Sequence, residues 1–221
     1  MCQGLNASFP SSIMTSPFIS RWVGLIGLAL TGCSHHSAPV DPVSIDADEV
    51  SQTLIDEHDQ DGSGGLSSDE LHAITGMQSC MKKYDVDGDG QLVAEELSEN
   101  LSRIFDGRIG MLSATCRVTH NGRPLAGAIV YFVPLPMFAD QAEVAGGITG
   151  PSGVAELSIR QEDLPKNAPN VRGLIRPGLY FVEVTHPTTK VPEQYNVKTT
   201  LGYEVTPQSV IGGPIDVSLK F

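Results

Sequence analysis

Aromatic and basic residues are scarce in this 221-residue chain. Aromatic residues make up 6% of it and the formal net charge is −12. A chain this acidic is repelled by phosphate and offers few rings for stacking on bases, which disfavours a nucleic-acid partner. The sequence also has no CxxC pair, no GxSxG or HExxH motif and no phosphate-binding glycine loop. Because the usual motifs of redox and hydrolytic chemistry are missing, we predict that the protein is not an enzyme.

The N-terminal apolar run is too short to cross a bilayer, which takes about 20 residues. It extends over Trp22–Leu30, nine residues, and follows Arg21, the first charged residue of the chain. A basic residue before a short apolar run is typical of a secretory signal. We predict a signal peptide over residues 1–32, with translation starting at Met1 or at Met14.

The tetrapeptide Leu30-Thr31-Gly32-Cys33 begins at the last residue of the apolar run and spans the end of the signal and the residue after it. It resembles the lipobox of bacterial lipoproteins, in which the cysteine is acylated and becomes the first residue of the mature chain. The resemblance implies an exported protein anchored to membrane lipid through Cys33 in the bacterial cell envelope. Ser34 is not the aspartate that retains some lipoproteins at the inner membrane, which favours the outer membrane. Residues 33–44 are predicted to be a tether; an ordinary signal peptide ending near a cysteine is the alternative.

Negative charge is concentrated in one part of the chain. Residues 41–106 contain 17 of the 26 acidic residues and only three basic ones. Residues 107–221 contain nine acidic and ten basic residues, so they are nearly neutral. The excess charge of the first segment calls for a local explanation, and a bound cation is the one we predict.

The segment Asp85–Glu96 fits the calcium-loop pattern D-x-[DN]-x-[DN]-G-x5-E at every required position. Calcium takes six to eight oxygen ligands, which this spacing can supply from alternate side chains, one backbone carbonyl and a closing glutamate. The predicted ligands are Asp85, Asp87, Asp89, Gln91 and Glu96.

The segment Asp59–Glu70 is a second copy of the same pattern. Ser63 replaces the acid at position five, and Ser67 occupies position nine. The predicted ligands here are Asp59, Asp61, Ser63, Gly65, Ser67 and Glu70. Leu66 and Leu92 both occupy position eight, where paired loops place the apolar residue that joins them. Acidic turns that bind no metal are the alternative.

Apolar residues at helical spacing flank both loops, which predicts helices around one shared core. Residues 45–106 resemble compact bacterial EF-hand repeats in their loops and in these flanks. The resemblance implies that Ca²⁺ is bound and that it stabilises this module rather than acting as a signal.

Helical spacing stops after a predicted linker at residues 107–112. About seven short strand-like segments follow, including Ala128–Val133 and Leu179–Thr185, and predict an antiparallel β-sandwich over residues 113–221. The phrase Val118–Ala128 and the strand start Pro177–Tyr180 resemble carboxypeptidase-regulatory-like, transthyretin-like domains. Such domains recur in bacterial lipoproteins and are usually not catalytic.

The sequence as a whole predicts an α+β, multi-module, non-catalytic calcium-binding lipoprotein. One alternative is a calcium-dependent, dockerin-like module that docks an envelope protein or a polysaccharide. Another is an accessory subunit of an envelope transporter or hydrolase. The division of charge and the short linker also predict that the two modules unfold separately. Cys80 and Cys116 either pair across the modules or remain buried free thiols.

Overall fold

The computed structural model describes residues 40–221, which contain five α-helices and several antiparallel sheets. The α+β class predicted from the sequence is confirmed. The predicted signal peptide, Cys33 and the first part of the tether lie outside the described residues. Within residues 40–221, no helix combines the length and the hydrophobicity needed to cross a membrane.

Residues 45–106 form the helical half of the structure. Its elements are α1 (Ala47–His58), β1 (Gly65–Ser67), a 3-10 helix (Glu70–Ile74), α2 (Thr75–Gln78), α3 (Met81–Tyr84), β2 (Gln91–Val93) and α4 (Ala94–Phe105). Asp46 caps the first helix, since its Oδ1 accepts a hydrogen bond from the Glu49 backbone N–H at 3.1 Å. Asp48 and Glu49 in the first turn also interact favourably with the helix dipole.

One hydrophobic core fills the helical half. It contains the side chains of the predicted apolar stripes, namely Leu54, Ile55, Leu71, Ile74, Met77, Tyr84, Leu97, Leu101, Ile104 and Phe105. β1 and β2 pair as antiparallel strands with Leu66 opposite Leu92, and both leucines are fully buried. The contact predicted between the two position-eight residues is therefore confirmed, and it joins the two loops side by side.

Residues 112–221 form the sheet half. Its elements are β3 (Leu112–Ser113), β4 (Thr115–His120), β5 (Arg123–Pro124), β6 (Ile129–Pro134), a 3-10 helix (Pro136–Phe138), β7 (Ala145–Ile148), β8 (Val154–Glu156), β9 (Ser158–Ile159), β10 (Leu174–Ile175), β11 (Gly178–Thr185), a 3-10 helix (Glu193–Tyr195), β12 (Gly202–Val205), α5 (Pro207–Ile211) and β13 (Ile215–Leu219). One sheet has the order β12-β11-β6-β7-β9. Another has the order β13-β4-β5, with β8 also paired to β4, while β10 pairs with β3.

Apolar side chains from both larger sheets share one core, which includes Cys116, Phe132 and Val182. β13 alternates buried and exposed residues, as its period-two sequence predicts. The sheet half has eleven strands rather than about seven, because several of them are only two or three residues long. β13 pairs with β4 in parallel. The expectation of a wholly antiparallel sandwich is therefore wrong for this pair, since the chain reaches β13 by a crossover from the other sheet rather than by a hairpin.

The end of the predicted tether packs against the folded chain. Val40 and Val43 are buried, and the backbone carbonyl of Asp41 accepts a hydrogen bond from Arg176 Nη1 at 3.0 Å. Gly110 lies so close to Val40 that a Cβ atom on this glycine would clash with the Val40 carbonyl. Residues 40–44 are thus part of the fold, although two isolated valines carry no periodic signal in the sequence.

The two halves share an extensive interface. Leu135, Phe138 and Leu179 come from the sheet half but belong to the helical core. α2 meets β12 at two glycines, and a Cβ atom on Gly202 would clash with the backbone of Gly76. Because of these contacts, residues 40–221 form one compact unit.

Candidate metal centre

Loop one, residues 59–70, folds around the carboxylate of Asp59. Its Oδ1 accepts a hydrogen bond from the Gly62 N–H at 2.8 Å, and its Oδ2 accepts one from the Gly64 N–H at 2.8 Å. The two glycines have φ values of 74° and 88°. Since side-chain-bearing residues rarely adopt such angles, these glycines are what allows the backbone to turn around the carboxylate.

Loop two, residues 85–96, repeats this arrangement at the same positions. Asp85 Oδ1 accepts a hydrogen bond from the Gly88 N–H at 2.7 Å, and its Oδ2 accepts one from the Gly90 N–H at 3.1 Å. The φ values of these glycines are 76° and 87°. In both loops, the residues at positions four and six therefore have positive φ. Their two backbone amides donate hydrogen bonds to the aspartate at position one.

In loop one, three predicted ligands converge. Carboxylate oxygens of Asp59, Asp61 and Glu70 all lie within 4.8 Å of one another. Glu70 is held in place from two sides, because its Oε1 accepts from the Gln60 N–H at 2.7 Å and its Oε2 accepts from the Ser67 hydroxyl at 2.7 Å. The closing glutamate thus lies against the beginning of the loop, as the pattern requires.

In loop two, the converging group consists of Asp85, Asp87 and Asp89, whose carboxylate oxygens also lie within 4.8 Å of one another. Glu96 is not in this group. Its Oε1 accepts a hydrogen bond from the Val86 N–H at 2.8 Å, and its Oε2 accepts one from the Val93 N–H at 3.2 Å. Glu96 therefore links the two ends of loop two and also caps the start of α4.

The remaining predicted ligands are bonded within the loops. The Ser63 hydroxyl donates to the carbonyl of Gly65 at 3.1 Å, so two predicted neutral ligands of loop one are neighbours. The Gln91 N–H donates to Asp89 Oδ1 at 2.8 Å. The residue at position seven is also the first residue of β1 in loop one and of β2 in loop two. The pairing of these two strands joins the loops.

Hydrogen bonds favour the ionised form of two carboxylates of loop one, Asp59 and Glu70. The Gly64 N–H is the largest cause of a pKa of Asp59 below its ordinary value. The Ser67 hydroxyl, with backbone N–H groups, lowers the pKa of Glu70 to about 2. Of these oxygens, Asp59 Oδ2 accepts a single hydrogen bond, from the Gly64 N–H, and keeps a lone pair for a cation. Converging anionic and carbonyl oxygens are the ligands that calcium takes in proteins.

The cysteines of the described region are free thiols. Cys80 and Cys116 are both buried and unpaired, so of the two alternatives left open by the sequence it is the free thiols that the structure contains. Burial raises the pKa of both thiols, that of Cys116 to about 12. Neither is a reactive thiolate at neutral pH. The lipidation of Cys33 stays a prediction.

The two histidines of the sheet half hold backbone in position. His120 stacks on Phe221 with ring centroids 4.1 Å apart, and its Nε2 lies 2.9 Å from the Phe221 carbonyl oxygen. His186 Nε2 lies 2.9 Å from the carbonyl oxygen of Ala126. These contacts fasten the C-terminus and the end of β11.

A cleft of about 600 Å³ lies where α1 meets the sheet half. Val50, Leu54 and Ile74 line it from the helical half, and Leu135 and Phe181 line it from the sheet half. The walls come from both halves, so the cleft exists only when the halves are packed together.

The sequence does not predict the buried carboxylate of Glu204 beside loop two. Glu204 in β12 bonds to Lys83 and Arg103, which are 121 and 101 positions earlier in the chain. A single glutamate in a strand gives no signal of partners so distant in sequence.

No protein-family model, curated protein or solved structure matches the chain. Its function is therefore inferred from these loops and their surroundings.

Proposed function

We propose that this protein is a non-catalytic calcium-binding lipoprotein in which the ion stabilises the helical half. One observation carries the calcium proposal. Two loops with the same pattern of glycines and hydrogen-bonded aspartates each bring three carboxylates to within 4.8 Å and pair through Leu66 and Leu92. Random acidic turns give no reason for two copies to match at so many positions.

The choice of calcium follows from the donors. Carboxylate, hydroxyl and carbonyl oxygens are hard ligands, and flexible loops that offer many of them suit calcium better than the smaller magnesium ion. Without a cation, repulsion among the loop carboxylates opposes folding. The carboxylates concerned are those of Asp59, Asp61, Glu70, Asp85, Asp87, Asp89 and Glu96. A structural role for the ion is the simplest consequence of this crowding.

The envelope location is proposed from the sequence. The lipobox-like segment Leu30–Cys33 supports acylation of Cys33 and attachment to the outer membrane through lipid. Cell fractionation of a Cys33→Ala variant tests this part, and we expect the variant to leave the membrane fraction. Continued sedimentation of the variant with membranes would contradict acylation as the anchor.

The interaction and accessory-subunit alternatives remain open as proposals about the biological role. Capture of an envelope protein or polysaccharide by the tagged lipoprotein in detergent, only when calcium is present, would favour the dockerin-like alternative. Co-purification that chelator leaves unchanged would favour an accessory subunit of a transporter or hydrolase.

Calorimetric titration of the full chain tests calcium binding. We expect two ions to bind, one per loop, with dissociation constants of about 10⁻⁴–10⁻³ M, as in extracellular calcium modules. A Glu70→Gln/Glu96→Gln double variant should lose both sites. The exposed Glu99 on α4 offers a matched control, because Glu99→Gln removes a carboxylate outside the loops. Failure of the wild type to bind, or equal binding by the double variant, would overturn the proposal.

A further inference from the structure

A buried carboxylate connects the surroundings of loop two to the sheet half. Glu204 lies in β12 with 6% of its side chain exposed. Its Oε1 accepts hydrogen bonds from Lys83 Nζ at 2.7 Å and Arg103 Nη1 at 3.0 Å. Its Oε2 accepts from the Tyr84 hydroxyl at 2.9 Å and Arg103 Nη2 at 3.2 Å. All four donor groups belong to the helical half.

These donors lie on both sides of loop two. Lys83 and Tyr84 end α3, and Asp85, the first predicted ligand, follows directly. Arg103 lies in α4, seven residues after Glu96, which is about two helical turns and returns to the same face. Glu204 therefore bridges the helix that enters loop two and the helix that leaves it.

The closed form of loop two depends on how these same helices are arranged. Glu96 extends from the first turn of α4 to the Val86 N–H at the start of the loop. This bond persists only while α4 stays close to the end of α3. Glu204 bonds to the same two helices, through Lys83 at the end of α3 and through Arg103 about two turns further along α4.

We propose that Glu204 is a positioning residue for loop two, which keeps α3 and α4 in the arrangement that binds the ion. This inference rests on the proposed calcium function. Removing one member of a buried ion pair leaves uncompensated charge, so loss of the Glu204 carboxylate should loosen the helices around loop two. Loop one is an internal reference, because its flanking elements, α1 and the 3-10 helix at Glu70–Ile74, contribute no donor to Glu204.

Calcium affinity of the two loops in the full chain tests the proposal. Loop two is measured in a Glu70→Gln background and loop one in a Glu96→Gln background, each with and without Glu204→Gln. Couplings between linked sites typically change affinity 5–150-fold. We expect Glu204→Gln to lower the calcium affinity of loop two about tenfold and to change that of loop one by less than about twofold. Equal weakening of both loops, or no weakening of loop two, would overturn the proposal.

A matched control separates this effect from the loss of any ion pair on the sheet half. Glu193 pairs with Lys198 at the same distance, 2.7 Å, but its side chain is 66% exposed. Glu193→Gln should leave both affinities unchanged. If Glu204→Gln fails to fold, Lys83→Gln replaces it, because the Lys83 side chain is 54% exposed and tolerates change better. Lys83→Gln should selectively lower the calcium affinity of loop two, by a smaller factor than Glu204→Gln.

Hydrogen–deuterium exchange in chelator gives a readout that needs no ion. Glu204→Gln should speed exchange of the Val86 and Gly88 amides in loop two and leave those of Gln60 and Gly62 in loop one unchanged. Uniform acceleration, or none, would count against the positioning role. If the wild type binds no calcium, the proposed function fails, whereas this exchange experiment still decides the role of Glu204.

Discussion

At the scale of single residues, the two loops differ in ligand charge. Loop two offers four acidic ligands and loop one offers three, because Ser63 stands where Asp89 stands in its counterpart. Affinity in such loops depends on ligand charge and on rigidity, so loop two should bind calcium more tightly. Glu96→Gln should then remove the tighter step of a calcium titration and Glu70→Gln the weaker step. The reverse assignment would mean that Ser67 at position nine, or helix packing, governs affinity.

The buried Glu204 predicts a dependence of stability on pH. Burial raises the pKa of this carboxyl, but hydrogen bonds from Arg103 and Lys83 outweigh burial, so the pKa lies below its ordinary value. A carboxyl with a depressed folded pKa contributes its full stability above the unfolded pKa, about 4.3, and loses it as the pH falls through the folded value. Glu204→Gln should lower the free energy of unfolding by about 2 kcal/mol near neutral pH, between the values for exposed and buried pairs.

Urea unfolding of wild type and Glu204→Gln across this range checks the expectation. The stability difference between the two proteins should be constant above about pH 5 and should shrink below about pH 4. A difference that stays the same down to about pH 3 would show that the carboxylate form of Glu204 does not supply the stability.

At the scale of elements, the close contact between α2 and β12 depends on Gly202, because glycine has no side chain. A Cβ atom on Gly202 would clash with the Gly76 backbone and would lie 2.5 Å from Ser79 Oγ, whereas one on Gly107 would meet nothing within 4 Å. Gly202→Ala should destabilise the protein by about 1–3 kcal/mol, the usual cost of overpacking. Gly107→Ala should change stability by less than about 0.5 kcal/mol. Equal urea midpoints for the two variants would show that β12 moves away from α2 without cost.

At the scale of the whole molecule, the shared interface changes the expected unfolding. Leu135, Phe138 and Leu179 cannot leave the helical core without exposing apolar surface of both halves. We therefore expect one calorimetric transition, in contrast to the separate unfolding predicted from the charge distribution. Calcium should move this transition as a whole to higher temperature, since a ligand of the native state stabilises it. Two transitions, of which calcium moves only one, would contradict this expectation.

The local features of this protein follow from its amino-acid sequence alone. The aspartates and glycines of loops one and two interact within 12 residues of each other, so their spacing alone predicts the turns and the converging carboxylates. The same holds for the apolar stripe of α4 and for the alternation of buried and exposed residues in β13. The period of apolar residues along a helix or a strand predicts which of its faces is buried. The pairing of Leu66 with Leu92 follows from the repeat of the pattern.

Which buried faces meet depends on how the complete elements pack in three dimensions. Period and composition show that Leu135 and Leu179 are apolar, but not that they enter the core of the helical half instead of their own. The parallel pairing of β13 with β4 depends on the path of a crossover between sheets. The bonds from Glu204 to Lys83, Tyr84 and Arg103 join residues at least 101 positions apart. Such contacts arise from the packing of complete elements, and no local rule of residue spacing contains them.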